Sequence, residues 1–315
     1  MNHTLLQSPN AVVMVRPHRF TPNPQTAHDN AFQSTAINNK TSPTSSLADK
    51  AYEEVTHVAE RLRDAGVEVH LFEDLGKLDT PDSVFPNNWF STHSGGHIAL
   101  YPMFAPNRRR ERRYDIIDML KANYRVQDVI DYSGLEADGL FLEGTGAMVL
   151  DHVERVAYAC ISQRTSEVIL ERFCTHFNYE PMAFPTLGEA NKPVYHTNVM
   201  MCIASQFALL GSDLITDAQR RQAVENRLKG SGRELVLLST EQIAAFAGNA
   251  IELTGSNGAV LAMSSKGVNS LSTSQRKTIE KHASILSLPV PTIELAGGSV
   301  RCMLAGVHLM RRQAD

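Results

Sequence analysis

Three residues in this chain have the types that a thiol-based reaction needs: Cys302 in "GGSVRC", His196 in "PVYHTNVMMCI" and Glu143 in "FLEGTGAMVL". A cysteine attacks as thiolate, its proton must go to a base, and the base needs an acceptor that orients it. The two glycines ahead of Cys302 let the backbone approach a ligand closely, and Arg301 beside it would favour the thiolate if its side chain folded toward the sulfur. If "PVYHTNVMMCI" is a strand, its period of two places Val194, His196, Asn198 and Met200 on one face. Each residue also has an ordinary reading. Free cysteine is among the most buried residue types, a lone histidine is usually a satisfied core or surface group, and Glu143 fits a simple turn. Spacing alone does not bring the three together.

Other chemistries find less support. Cys160, Cys174 and Cys202 show no C-x-x-C spacing, and twelve histidines include no H-E-x-x-H, so neither a disulfide framework nor a metal site is indicated. No G-x-G-x-x-G or G-x-x-x-x-G-K-[ST] marks a nucleotide site, and no cofactor is implied. The formal charge of -4 and pI near 6.3 give no general attraction to nucleic acid or anionic membrane. The basic run in "NRRRERRYDIIDML" reads as a solvated helix end. No basic start with an apolar run opens the chain and no stretch approaches the ~18 apolar residues of a membrane span. A soluble, cytoplasmic protein is expected.

The elements that must position these residues alternate short strands with amphipathic helices. In "SLADKAYEEVTHVAERLRDAGVEVHLF", Ser46 and Asp49 signal a helix start, Ala51, Val55, Val58 and Leu62 share one face, and Gly66 stops the helix before the strand "VEVHLF". Four more helix-then-strand units follow, in "YDIIDMLKANYRVQDVIDY", "SEVILERFCTHFNYEPMAF", "DAQRRQAVENRLKGSGRELVLLS" and "STSQRKTIEKHASILSLPVPTIEL". Strand pairs such as "LFLEGTGAMVLDHVERVAYACIS" lie between them, and "AINNKTSPTSSLA" is a polar loop rather than a linker. Five units of similar size fit a doubly wound sheet or a circular repeat around an axis; without a nucleotide motif the circular repeat is preferred. The whole chain, 1–315, is then a single α/β domain.

Three separated motifs, "LEGTGA", "VYHTN" and "GGSVRCM", resemble in order and spread the "EGGD", "H-x-D" and "GGG-x-x-C-M" signatures of the guanidine-modifying enzymes: arginine and agmatine deiminases, dimethylarginine dimethylaminohydrolase and amidinotransferases. "TPDSVFPNNWF", "APNRRRER" and "CISQRTS" resemble further family segments, so the likeness spans roughly residues 80 to 310. The stretch "VRPHRFTPNPQTAHDNAFQ" resembles a bacterial branch assigned to citrulline hydrolysis. The resemblance implies a five-bladed α/β propeller with pseudo-fivefold symmetry and its active site on the axis. It implies Cys302 as nucleophile, His196 as general acid/base and Glu143 as the carboxylate that orients it. Asp82 and Asn88 would line the substrate's head or amino group, Asn198 would sit beside the head group, and Arg109 and Arg164 would hold an α-carboxylate through their planar donors.

The chain also departs from the family it resembles. The family's Glu-Asp pair is Asn87 and Asn88, the aspartate after its histidine is Asn198, and "EGGD" has become "EGTGA". Amides donate as well as accept, so the site would suit a neutral ureido group where carboxylates would hold a guanidinium. The expectation is a cysteine hydrolase converting citrulline to ornithine, carbon dioxide and ammonia. Arginine deimination, dimethylarginine hydrolysis and amidino transfer are its alternatives. A non-catalytic binding protein of the same fold, like a ribosome anti-association factor, would not need Cys302, His196 and Glu143 together. The expected partner is a small amino acid, and the sequence carries no signal of oligomeric state.

Overall fold

The computed structural model describes residues 6–33, 44–188 and 191–313. Five three-stranded sheets make up the architecture, and all follow one plan: an inner strand pairs antiparallel with the middle strand, which pairs parallel with the outer one. A parallel pair needs a crossover, and a helix on the outside supplies it. In the first sheet β1 (Ala11–Pro17) and β2 (Glu68–Asp74) are joined through the helix Thr44–Asp64. The second holds β3 (Phe90–His93), β4 (His97–Leu100) and β5 (Asp128–Asp131); the third β6 (Met148–Asp151), β7 (Val156–Cys160) and β8 (Glu180–Phe184). The fourth holds β9 (Met201–Ile203), β10 (Phe207–Leu210) and β11 (Glu234–Leu237); the fifth β12 (Ile251–Gly255), β13 (Gly258–Ser264) and β14 (Ser284–Leu288). The last strand, β15 (Ala305–Gly306), returns to pair with β1, so the two ends of the chain share one sheet and the ring closes. This is the five-bladed propeller that the sequence led us to expect.

The five helix-then-strand units read from the sequence all form, with helices at Thr44–Asp64, Tyr114–Asn123, Glu167–Phe177, Ala218–Gly230 and Thr273–Glu280. In the first, Ala51, Val55, Val58, Ala59 and Leu62 have no exposed surface and pack on Val12, Met14 and Val67, as the 3.6-residue period requires. Ser46, the expected start signal, lies inside this helix, and its side chain is outside what is described. The polar loop 36–48 falls largely on residues that are not described. No helix among the described residues is long and apolar enough to cross a membrane.

One expectation fails in detail. Residues 196–198 are not a strand: His196 precedes a 3₁₀ turn at Thr197–Val199, and β9 starts only at Met201. The same device recurs ahead of the other inner strands. Pro86–Asn88 precedes β3, Gly144–Ala147 precedes β6, and Val300–Met303 precedes β15. Gly248 and Asn249 lead into β12. These turns carry Asn88, Asn198, Asn249 and Cys302, and Asn88 and Cys302 line the site directly.

Candidate active site

Cys302, His196, Asp82, Asn88 and Arg164, far apart in sequence, line one small cavity of about 10 Å³, together with Arg108, Asn30, Phe85 and Tyr195. Cys302 sits in the turn Val300–Met303 and is buried. Two amides point at its sulfur: Asn198 Nδ2 lies 3.3 Å and Asn249 Nδ2 3.2 Å from Sγ. Asn249 also donates to the Asn198 carbonyl at 3.1 Å and accepts from the Arg301 backbone N–H at 3.0 Å, which locks the amide in place. Asn198 Oδ1 is buried without a partner among the described residues. A buried acceptor without a partner costs on the order of 1–3 kcal/mol.

His196 Nε2–H donates to Glu143 Oε2 at 2.8 Å, and the Phe104 backbone N–H donates to Oε1 at 2.9 Å. Burial works against the Glu143 charge, but Arg164, the His196 hydrogen bond and Arg108 outweigh it and hold the carboxyl well below the usual range. Its charge is therefore shared by three cationic or donor groups: Arg108 Nη1 lies 3.5 Å and Arg164 Nη1 3.6 Å from Oε2. Burial pulls the His196 pKa down to about 4, against the pull of Glu143. The resting imidazole is then neutral, protonated on Nε2 toward Glu143, with its lone pair on Nδ1.

Gly146 makes this arrangement possible. A Cβ there would stand 2.2 Å from Asn88 Nδ2 and 2.8 Å from His196 Nδ1, so only glycine lets the Gly144–Ala147 turn pass between them. At the other side of the cavity Gly297 has φ +82°, a conformation a side chain would strain, and its carbonyl accepts from Tyr195 Oη at 2.5 Å.

The remaining ionic groups are tied to one another. Arg108 holds Glu111 through two bonds of 2.9 Å, donates to Asn88 Oδ1 at 2.9 Å and lies 3.6 Å from Asp82. Asp82 Oδ2 accepts from Asn23 Nδ2 at 2.8 Å, and burial raises its pKa. Arg164 grips Asp29 bidentately at 2.8 and 2.7 Å and lies over the Tyr195 ring, 4.6 Å from its centroid. Asn88 Nδ2 donates to Asn87 Oδ1.

Three site residues named from sequence do not line the cavity: Glu143 and Asn198 stand just behind it, bonded to His196 and Cys302, whereas Arg109 turns away from it. Its donors go to the Met103 and Phe104 carbonyls and its side chain is one-third exposed, beside Glu136. The neighbouring Arg108 takes the buried place. The sequence did carry a signal for this: in a 3₁₀ turn residues three apart overlie each other, and Glu111, the acid within the basic run, lies three after Arg108. Arg301 also departs from expectation. Its Nη1 donates to the Leu304 carbonyl, and its side chain lines a different cavity, behind Cys302. Asn23, Asp29, Asn30 and Asn249 carry no local pattern that marks them as site residues, although the first three lie in the segment "VRPHRFTPNPQTAHDNAFQ".

Five three-stranded α/β sheets in a ring, with a cysteine, a histidine and a glutamate converging at one end of the axis, define the guanidine-modifying propeller class. Within that class the chain belongs to the family described as N,N dimethylarginine dimethylhydrolase, eukaryotic, whose profile matches residues 16–309. Among solved structures, it is similar to the N-terminal domain of ArgZ bound to substrate, an arginine dihydrolase from the ornithine-ammonia cycle in cyanobacteria. That match has a TM-score of 0.70 at 17% identity and covers 94% of this chain and 97% of that one. AgrE with L-arginine matches with a TM-score of 0.71 at 17% identity, over 96% of this chain and 40% of AgrE. A dimethylarginine dimethylaminohydrolase adduct with S-methyl-L-thiocitrulline matches with a TM-score of 0.63 at 13% identity, over 96% and 100%. No curated protein sequence matches the chain.

Proposed function

We propose that this protein is a cysteine hydrolase that cleaves the ureido group of citrulline, giving ornithine, carbon dioxide and ammonia. The observation that carries the reading is the character of the groups around the sulfur: Asn198 and Asn249 amides, with no carboxylate free to hold a cation. Every carboxylate at the cavity already has a cationic or donor partner: Glu143 has His196, Arg108 and Arg164; Asp82 has Asn23 and Arg108; Asp29 has Arg164. A guanidinium placed here would lose hydration without gaining a countercharge, whereas a ureido group is neutral. In the reaction His196 Nδ1 takes the Cys302 proton and the thiolate attacks the ureido carbon. The developing oxyanion meets amide N–H donors, and Asn198 Oδ1 accepts a head-group N–H. His196 returns the proton to the leaving nitrogen, and water cleaves the S-linked intermediate to complete the net addition of one water.

Arg164 is the α-carboxylate reader in this scheme, and Asp82 receives the α-amino group. Asp29 now occupies the donor fork of Arg164, and the cavity holds little more than a water, so entry of substrate requires the segment Phe20–Gln33 to move and Asp29 to yield. Replacing Arg164 by Lys keeps the charge but loses the fork, and raises KM.

Arginine as first substrate is a second reading, favoured by Asp82: this buried carboxylate lies only loosely on Arg108, at 3.6 Å. The family match and the arginine-bound AgrE structure support it too. Purified protein incubated separately with citrulline, arginine, methylarginines and agmatine, with ornithine and citrulline quantified, decides the matter. Ornithine from citrulline supports the proposal, and ornithine from both substrates makes arginine an earlier point of entry. Citrulline from arginine with no ornithine from citrulline overturns it.

A further inference from the structure

A second cavity lies on the axis behind the catalytic turns. Its two adjoining lobes share Thr145, Leu150, His152, Ile251, Arg301 and His308, and the larger is about 40 Å³, room for an ion of three or four heavy atoms but not for an amino acid. Its wall includes residues of the same turns. Thr145 follows Glu143 by two residues, and Arg301 directly precedes Cys302.

The charge in this cavity is unbalanced. Arg301 has no carboxylate within 4 Å among the described residues, and its one side-chain hydrogen bond goes to the Leu304 carbonyl. The other deeply placed guanidinia, Arg108, Arg164 and Arg233, all hold carboxylates. His152 and His308 lie in contact, with ring centroids 3.9 Å apart and planes tilted by 33°, and the Tyr179 hydroxyl meets His152 Nδ1 at 2.8 Å. Glu252 is the one acid on the wall, and its Oε2 is taken by Ser8 and by the Ser205 N–H and hydroxyl. Gln7 closes the outer end, donating to the Leu150 and Ile203 carbonyls at 3.0 Å each.

We infer that this axial cavity is a second ligand site, which takes a small planar oxyanion of the carboxylate or bicarbonate kind on the Arg301 guanidinium, with His308 as a further donor. A guanidinium fork matches the two oxygens of such an ion. The site is distinct from the substrate cavity, and its occupancy reaches the nucleophile through the Arg301 backbone, which Asn249 ties to Sγ.

The test is calorimetric titration with sodium formate and, separately, sodium bicarbonate, at ionic strength fixed with sodium chloride. It uses the whole protein and its Arg301→Gln, His308→Gln and Arg164→Gln variants. Saturable binding is expected in the wild type and in Arg164→Gln, weakened at least about tenfold in Arg301→Gln and measurably in His308→Gln. The tighter of the two ions identifies the ligand. Absence of saturable binding in the wild type overturns the inference, as does loss in Arg164→Gln alone, which would put the anion in the substrate cavity. If Arg301→Gln does not fold, His308→Gln decides, and unchanged affinity there counts against the site.

Discussion

Under the proposed mechanism, two amides at the Cys302 sulfur take the place that charged neighbours hold at many reactive thiols. Asn198 and Asn249 approach Sγ from different inner-strand turns, at 3.3 and 3.2 Å, and both side chains are buried. Donors aimed at a thiolate or at an oxyanion contribute to the charged form and much less to the neutral one, so their removal slows the chemical step rather than binding. Asn249→Ala is expected to lower kcat by roughly 10–100-fold, the loss of one charge-assisted hydrogen bond, with KM changed by less than about threefold. Steady-state kinetics on the preferred substrate reads both. A kcat within about twofold of wild type would remove Asn249 from the machinery.

At the scale of the element, the short turn ahead of each inner strand decides how close the catalytic groups come. The Gly144–Ala147 turn passes between Asn88 and His196, and Gly146→Ala would drive a methyl group into the ends of both side chains. Because those ends can move, the fold survives while the base is displaced. The expected outcome is a kcat at least about tenfold lower, since small misplacements of a reacting group are costly. The melting temperature should fall by no more than about 2–4 °C, the equivalent of about 1 kcal/mol in a domain of about 150 residues or more. Unchanged kcat would show that His196 does not act from this position. These turns also mark where the sequence stops being legible. Helix faces with a 3.6-residue period and the buried strands behind them are written locally, so Ala51, Val55, Val58 and Leu62 reveal their helix directly. The family-like motifs bring Cys302, His196 and Glu143 forward. A 3₁₀ turn of three residues has no periodicity to read, so His196 and Asn198 looked like a strand. The choice between Arg108 and Arg109 depended on which side chain the turn buries. Asn249 could have been found by analogy, because Asn88, Asn198 and Asn249 each stand two or three residues ahead of an inner strand, but an asparagine in three of five turns is faint in a sequence where the units share shape more than residues.

At the scale of the whole molecule, four imidazoles, those of His93, His152, His196 and His308, are kept neutral mainly by desolvation, and this sets how the protein responds to acid. The His196 and His308 pKa values lie at about 4, each lowered first by burial, and those of His93 and His152 lie well below the ordinary value. The charges facing them add to this in most cases: Arg301 faces His308, while Arg155, Arg301 and the neighbouring imidazoles face His152. At His196, Glu143 opposes burial and Arg164 and Arg108 assist it. In the unfolded chain the same histidines titrate near 6.5. Between about pH 6.5 and pH 4 the unfolded state therefore binds more protons than the native one, and stability rises with pH through this window. Read downward, stability is lost progressively as pH falls from about 6.5, and the loss levels off only near the folded values. Glu143, whose folded pKa is depressed, acts in the same direction but further into acid, below the ordinary carboxylate value. One group shifted to about 4 is worth up to about 3 kcal/mol when the window is fully crossed, and His152 and His308, being in contact, do not add independently. Urea unfolding followed by circular dichroism is expected to give a midpoint at pH 5 clearly below that at pH 7, with the difference reduced in His308→Gln, which cannot take up a proton. Equal midpoints at the two pH values would mean that these imidazoles take up protons as readily in the native protein as in the unfolded chain.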